Sequence, residues 1–138
     1  MFEHVSLEYQ EVLMAATGQQ AEENLENAMK AYKGKYLLAA EGAVPTANNG
    51  IYLTLGSTAE TGMSLIKRVA NDAAAVICVG TCSSFGGVQA ARPNPTGAKS
   101  VGAVIDRPVI NVAGYPSKPS QHHRNTNVLH HVWPSSCP

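Results

Sequence analysis

Cys82 stands in the stretch GTCSSFGGVQAARPNPTGA, Gly80 to Ala98, directly after the apolar run AAAVICV. A thiol between small residues, followed by Gly86-Gly87 and then by two prolines, admits three chemistries. As a phosphate cradle, a strand, a glycine turn and a helix start would offer backbone N–H groups to an anion. The stretch lacks the GKS/T ending of a P-loop and the GxGxxG spacing of a dinucleotide site. As a nucleophile, Cys82 would need a base and a cause for a lowered pKa. Before the C-terminal stretch, however, the sequence has no histidine but His4. As a metal ligand, Cys82 would need partners from elsewhere in the chain. Thr81 is beside it, and Glu41 closes an earlier apolar run, where a strand-end carboxylate either caps a turn or faces a site.

Two further groups bear on metal chemistry. His122-His123 and His130-His131 could bind zinc, yet their spacing is not that of a finger and no CxxC accompanies them. The composition around them equally fits a solvated tail. The cysteines are Cys78, Cys82 and Cys137, an odd count without the spacing of a disulfide framework. Cys78 lies inside the apolar run, where a small buried hydrophobe is expected.

These residues must be positioned by a chain of 138 residues, enough for one domain with a real core. Ten acidic residues balance ten basic ones, so charge gives no reason to expect nucleic acid or an anionic membrane as partner. No apolar run approaches the roughly 18 residues of a membrane span. MFEHVSLEYQ has neither a basic region nor an apolar signal core, so no export signal is expected in this chain.

The elements follow from periodicity. VSLEY alternates like the end of a strand. Ala21–Tyr32 places Leu25, Ala28, Met29 and Tyr32 on one helical face, with acids in the first turn, lysines near the end and Gly34 as a stop. Tyr36–Ala40 reads as a buried strand with Glu41 at its carboxyl end, and PTANNGIYLTLGS as a long loop. Thr58–Ala70 reads as a second helix with Met63, Ile66 and Ala70 inward. Ala74–Val79 and Pro108–Val112 read as further strands. Continuously apolar strands alternating with helices predict a parallel sheet covered on both faces, in a doubly wound α/β fold. The loops after its strands then bring Glu41, Thr81-Cys82 and Gly114-Tyr115 to one rim. From Ser117 the text changes abruptly, to histidines, prolines and serines without periodicity or acids.

EGAVPTANNGIY, AAAVICVGTCSSFGGVQAARPNPTGA and PVINVAGYP closely resemble the small, electron-transferring subunit of nickel–iron hydrogenases, over about Val5 to Pro116. The resemblance implies a flavodoxin-like domain holding a 4Fe–4S cluster, a separate large subunit carrying the catalytic metals, and an electron acceptor. It also implies a parent complex often exported by a twin-arginine signal. Residue by residue, Cys82 matches the cysteine of the family's GTC motif, and Glu41 the glutamate of its EGxIP motif beside the cluster. Tyr115 stands where GCPP carries another cysteine ligand, and a CxGC motif that supplies two more is absent from this sequence. The expectation is a flavodoxin-like sheet incomplete at its N-terminus, part of an electron-transfer subunit that carries no nickel–iron site and does not hold the cluster. The reading from another class is a stand-alone flavodoxin-like module binding a small anion or nucleotide.

The domain is expected over residues 1–116, with 117–138 an irregular tail. Codons can be chosen for Ser117 to Trp133 that, read one base later, begin PNPHNITGT. That restores the N-P-x-N-x-x-G-T the family carries after GCPP, so an out-of-frame tail is a specific expectation.

Overall fold

The most apolar run, Ala75–Val79, becomes the middle strand of a parallel sheet. In the chain's computed structural model, residues 6–117 are described. Among them the order is α1 (Gln19–Ala31), β1 (Leu37–Glu41), β2 (Thr54–Leu55), β3 (Glu60–Thr61), α2 (Gly62–Asn71), β4 (Ala75–Val79), α3 (Gly80–Phe85) and β5 (Val109–Val112). The main sheet has the order β1-β4-β5 with both pairings parallel, and β2-β3 form a separate antiparallel ladder. The architecture is therefore a mixed α/β fold.

β4 has neighbours on both edges, and Val76, Ile77 and Cys78 are all buried. This is the burial expected of a continuous apolar strand inside a parallel sheet. One face of the sheet meets the core, where Ala40, Val76 and Cys78 pack with Ala70 of α2 and with Val101 and Ile105. The inward face of α2 is the one its spacing predicts, since Met63, Ile66 and Ala70 all join this cluster. The other face is open at β1, where Leu37 is 40% exposed and Ala39 and Glu41 are exposed as well. The expectation of a sheet covered on both faces thus holds at β4 and fails at β1.

Side chains tie the outer elements to this core. Arg68 of α2 bonds Glu60 of β3 (Nη2 to Oε2, 2.9 Å) and also pairs with Glu26 of α1. Arg107 Nη1 donates to the carbonyls of Asn71 and Ala73 at 3.0 and 2.7 Å, and to that of Ala70, closing the C-terminal end of α2. Such bonds satisfy carbonyls that a helix end leaves without partners. α1 itself has no fully buried residue.

Three local expectations change. The second helix begins at Gly62 rather than Thr58, because Glu60–Thr61 pair with Thr54–Leu55 and Thr61 caps the helix, its Oγ1 accepting from Ser64 N–H at 3.2 Å. The long loop after Pro45 accordingly contains a short 3-10 turn at Ala47–Gly50 and the β2 strand. Ser6–Tyr9, the described part of VSLEY, form no strand, since no neighbouring strand among the described residues hydrogen-bonds them. Alternation marks a strand only where a ladder partner exists. Val5 and the stretch from Lys118 onward, with its four histidines and Cys137, lie outside the described residues.

Candidate functional site at the sheet rim

The ladders place Glu41, Val79 and Val112 side by side, so β1, β4 and β5 end level with one another. Their following loops therefore share the rim that the sequence predicts. Two are laced together. Thr81 N–H donates to the Gly114 carbonyl at 3.0 Å, and Gly114 N–H donates to Thr81 Oγ1 at 3.3 Å. Thr81, beside the cysteine, thus fixes the loop that carries Tyr115, and Tyr115 itself is 86% exposed.

Cys82 does not sit in an open turn. It lies inside α3, a helix of only six residues that crosses the carboxyl end of the sheet and packs on β1, β4 and β5. The helix ends at Gly86, whose left-handed conformation (φ +94°) lets its N–H bond the Cys82 carbonyl at 2.8 Å. Gly87 follows, also at positive φ. A Cβ there would stand 2.5 Å from Cys82 Sγ, so the second glycine leaves room for the sulfur. The thiol is half-buried and lies 3.5 Å from Gln89 Oε1. Gln89 is a neighbour of the thiol that the sequence did not point to, and Gly87, legible there only as part of a turn, proves to stand against the sulfur. The adjacent Gly-Gly pair, two residues before a glutamine, was the available signal.

Cys78 is a different kind of thiol. It is wholly buried in the core, and burial raises its pKa above the usual 9.0, with Ser83 and the Gly102 backbone working against the shift. It faces away from rim chemistry, as its place in the apolar run suggests. Glu41 reaches the rim and is exposed, with no hydrogen bond or ion pair to Cys82 among the described residues. The structure therefore brings Thr81, Cys82 and the Gly114-Tyr115 loop together by contact, and Glu41 by register alone.

A 4Fe–4S cluster is held by four cysteine thiolates. The described rim offers one, Cys82, and no three His, Cys, Asp or Glu side chains gather among the described residues in a metal-ligating group. Tyr115 cannot stand in for a soft thiolate toward iron–sulfur. The residues present do not fit the group.

The rim thus combines a parallel α/β sheet with a short cysteine-bearing helix laced to its carboxyl end. The chain belongs to the family described as NADH ubiquinone oxidoreductase, 20 Kd subunit, whose model matches residues 1–127. Within it the relatives are hydrogenase small subunits. The chain is 49% identical over 132 residues to the quinone-reactive Ni/Fe-hydrogenase small chain of Wolinella succinogenes, covering 96% of this chain and 37% of that protein. It is 45% identical over 131 residues to the hydrogenase-2 small chain of Escherichia coli K12, covering 94% and 34%. The reduced, active Ni-Fe-Se hydrogenase of Desulfomicrobium baculatum superposes with a TM-score of 0.84 at 33% identity, over 93% of this chain and 52% of that one. The chain is thus homologous to nickel–iron hydrogenase small subunits and spans roughly a third of the length of the curated relatives it matches. Among the described residues, no helix is long and apolar enough to cross a membrane.

Proposed function

We propose that this chain is part of the electron-transfer small subunit of a nickel–iron hydrogenase, and that by itself it holds no 4Fe–4S cluster. The whole enzyme would oxidise or evolve dihydrogen. A large subunit would carry the nickel–iron centre, and electrons would pass through 4Fe–4S clusters to an acceptor. In this reading Cys82 stands at a cluster-ligand position of the family, Thr81 and Glu41 lie in the vicinity of that site, and Tyr115 occupies a lost ligand position. The observation that carries it is the laced rim itself. Cys82 sits on α3 with Gly87 making room for its sulfur, in a chain 49% identical to a hydrogenase small chain. The sheet would form part of a flavodoxin-like doubly wound fold, with the strand order β1-β4-β5 at its core.

What this chain's residues do is bounded. Thr81 fixes the Tyr115 loop, α3 presents the Cys82 thiol, and Gly86-Gly87 end the helix beside it. No redox step belongs to these residues, and the hydrogen chemistry belongs to the large subunit.

Anaerobic reconstitution of the full chain with ferrous iron and sulfide tests the reading. Iron and sulfide should remain far below stoichiometric after desalting, without a cluster absorption band. Near-stoichiometric iron with that band, lost in Cys82→Ser, would overturn it. The organisation proposed with it is a domain over residues 1–116 and an out-of-frame tail over 117–138. Its check is the coding sequence, which should carry a one-base shift between the Gly114 and Lys118 codons.

A further inference from the structure

We propose that Asn49–Gly50 is a fold-gated modification site. The folded turn holds the asparagine unreactive; when the loop opens, Asn49 converts by itself to aspartate and isoaspartate, the second of which keeps the loop from closing again. The site stands apart from the redox reading, since it uses no thiol and no iron. It is the single Asn-Gly step in the sequence.

The reaction needs only the chain and water. The Gly50 nitrogen attacks Asn49 Cγ, a nitrogen–carbon bond forms, and the bond from Cγ to Nδ2 breaks as ammonia leaves with the Gly50 amide proton. Water then opens the cyclic imide at either carbonyl. One opening gives aspartate, and the other gives isoaspartate, with one more carbon in the backbone. Glycine as the following residue has no side chain to hinder the attack. The ring closes only when Cγ and the Gly50 nitrogen lie on the same side of the Asn49 Cα–C bond.

The folded turn keeps them apart. Asn49 is left-handed, at φ 58° and ψ 26°, and so is Asn48, at φ 48° and ψ 47°, a conformation that asparagine visits more readily than most residues. In an L residue the side chain stands a third of a turn from the residue's own nitrogen about the Cα–C bond. This ψ therefore sets the Gly50 nitrogen nearly opposite the Asn49 side chain. Turning ψ alone to bring them together, with φ still positive, enters a region that glycine tolerates far better than a residue with a side chain. The low-strain route changes both angles, which takes the turn apart. Its neighbours resist that. Gly50 is buried, and a Cβ there would stand 3.0 Å from Met63 Cβ and 3.2 Å from the Pro45 carbonyl oxygen. The Thr46 and Ala47 N–H groups donate to the Thr96 carbonyl at 3.1 and 2.9 Å, and Thr46 Oγ1 donates to that of Gly97 at 2.7 Å. Asn48 Nδ2 donates to the Tyr52 hydroxyl at 2.8 Å. These restraints lie within the loop, α2 and the Thr96-Gly97 segment, so the protection does not depend on what else covers the loop. Isoaspartate would lengthen the backbone beside Gly50, where Met63 and Pro45 leave no room, and the turn could not re-form.

The test is peptide mapping by mass spectrometry of the full chain after incubation in mildly alkaline buffer, folded and unfolded in guanidinium chloride. Conversion is read as the amide-to-acid mass gain at Asn49, with isoaspartate resolved by chromatography. It should run at least about tenfold slower in the folded chain, as for a segment that is seldom open. Thr46→Val, which keeps the branched shape and removes the bond to Gly97, should speed conversion of the folded chain about threefold and leave the unfolded rate unchanged. Tyr52→Phe, which frees the Asn48 amide, serves in its place if circular dichroism shows that Thr46→Val does not fold. The isoaspartate product should be cleaved within residues 45–53 by limited proteolysis faster than the unconverted chain. Equal rates in the folded and unfolded wild-type chain would overturn the proposal. So would a folded clasp variant that converts no faster than the wild type, or an isoaspartate product no easier to cleave.

Discussion

A methyl group added at Gly87 would stand 2.5 Å from the Cys82 sulfur and 3.0 Å from the Cys82 Cα. The residue also occupies φ +62°, a region that side chains enter at a cost. Steric overlap with a helix backbone cannot be relieved by turning one flexible side chain, so either α3 or the loop must move. Gly87→Ala should therefore destabilise the fold by about 1–3 kcal/mol, read as a lowered urea midpoint at unchanged slope. A change below about 0.5 kcal/mol, the range of an ordinary surface substitution, would mean that the loop is loose around the thiol. The identity of Cys82 as the special cysteine is readable from sequence alone, because it lies past the apolar run and Cys78 lies within it. The packing of Gly87 against its sulfur is not, since that depends on how α3 ends.

At the level of elements, Arg68 joins three pieces that are distant in sequence: α1 through Glu26, β3 through Glu60, and its own helix α2. Arg68, by its hydrogen bond, holds the Glu60 carboxyl below its usual 4.5, with Ser64 and the Arg68 charge adding to the effect and burial opposing it. A carboxyl whose pKa is lowered on folding lends stability above its ordinary value and loses it as pH falls through the lowered one. Arg68→Ala should therefore cost about 1 kcal/mol near pH 7, given the partial exposure of these groups. The deficit should shrink as pH falls from 7 to about 2, through the ordinary and then the lowered carboxyl range. Urea unfolding of both proteins at the two pH values reads the difference, and an equal deficit at both would assign the effect to packing of the Arg68 side chain. α1 and α2 were readable from periodicity to within a few residues. The β2-β3 ladder was not, because strands of two residues have no period to detect, and Thr61 acts as a cap rather than as a helical residue.

At the scale of the molecule, the two ends of the sheet order have opposite characters. Toward β5, the rim loops are laced by the paired Thr81–Gly114 bonds. At β1, which ends the strand order among the described residues, Leu37 and Ala39 are exposed. The described part of VSLEY, Ser6–Tyr9, carries an alternating strand signal and finds no ladder among the described residues.

The sequence by itself determined the apolar strands, the parallel α/β class, the kinship with hydrogenase small subunits and the place of Cys82 just past the apolar run. Each of these is carried by local composition or by an unbroken motif such as GTCSSFGGVQAARPNPTGA. Only the tertiary structure decided that Cys82 rides on a helix with Gly87 at its sulfur, that Thr81 locks the Tyr115 loop, and that Glu41 shares the rim without touching the thiol. It alone decided that β1 ends the strand order among the described residues. The reason is physical. Hydrogen-bond partners between strands and the close approach of loops are set by residues tens of positions apart, and no window of sequence contains both sides of the contact.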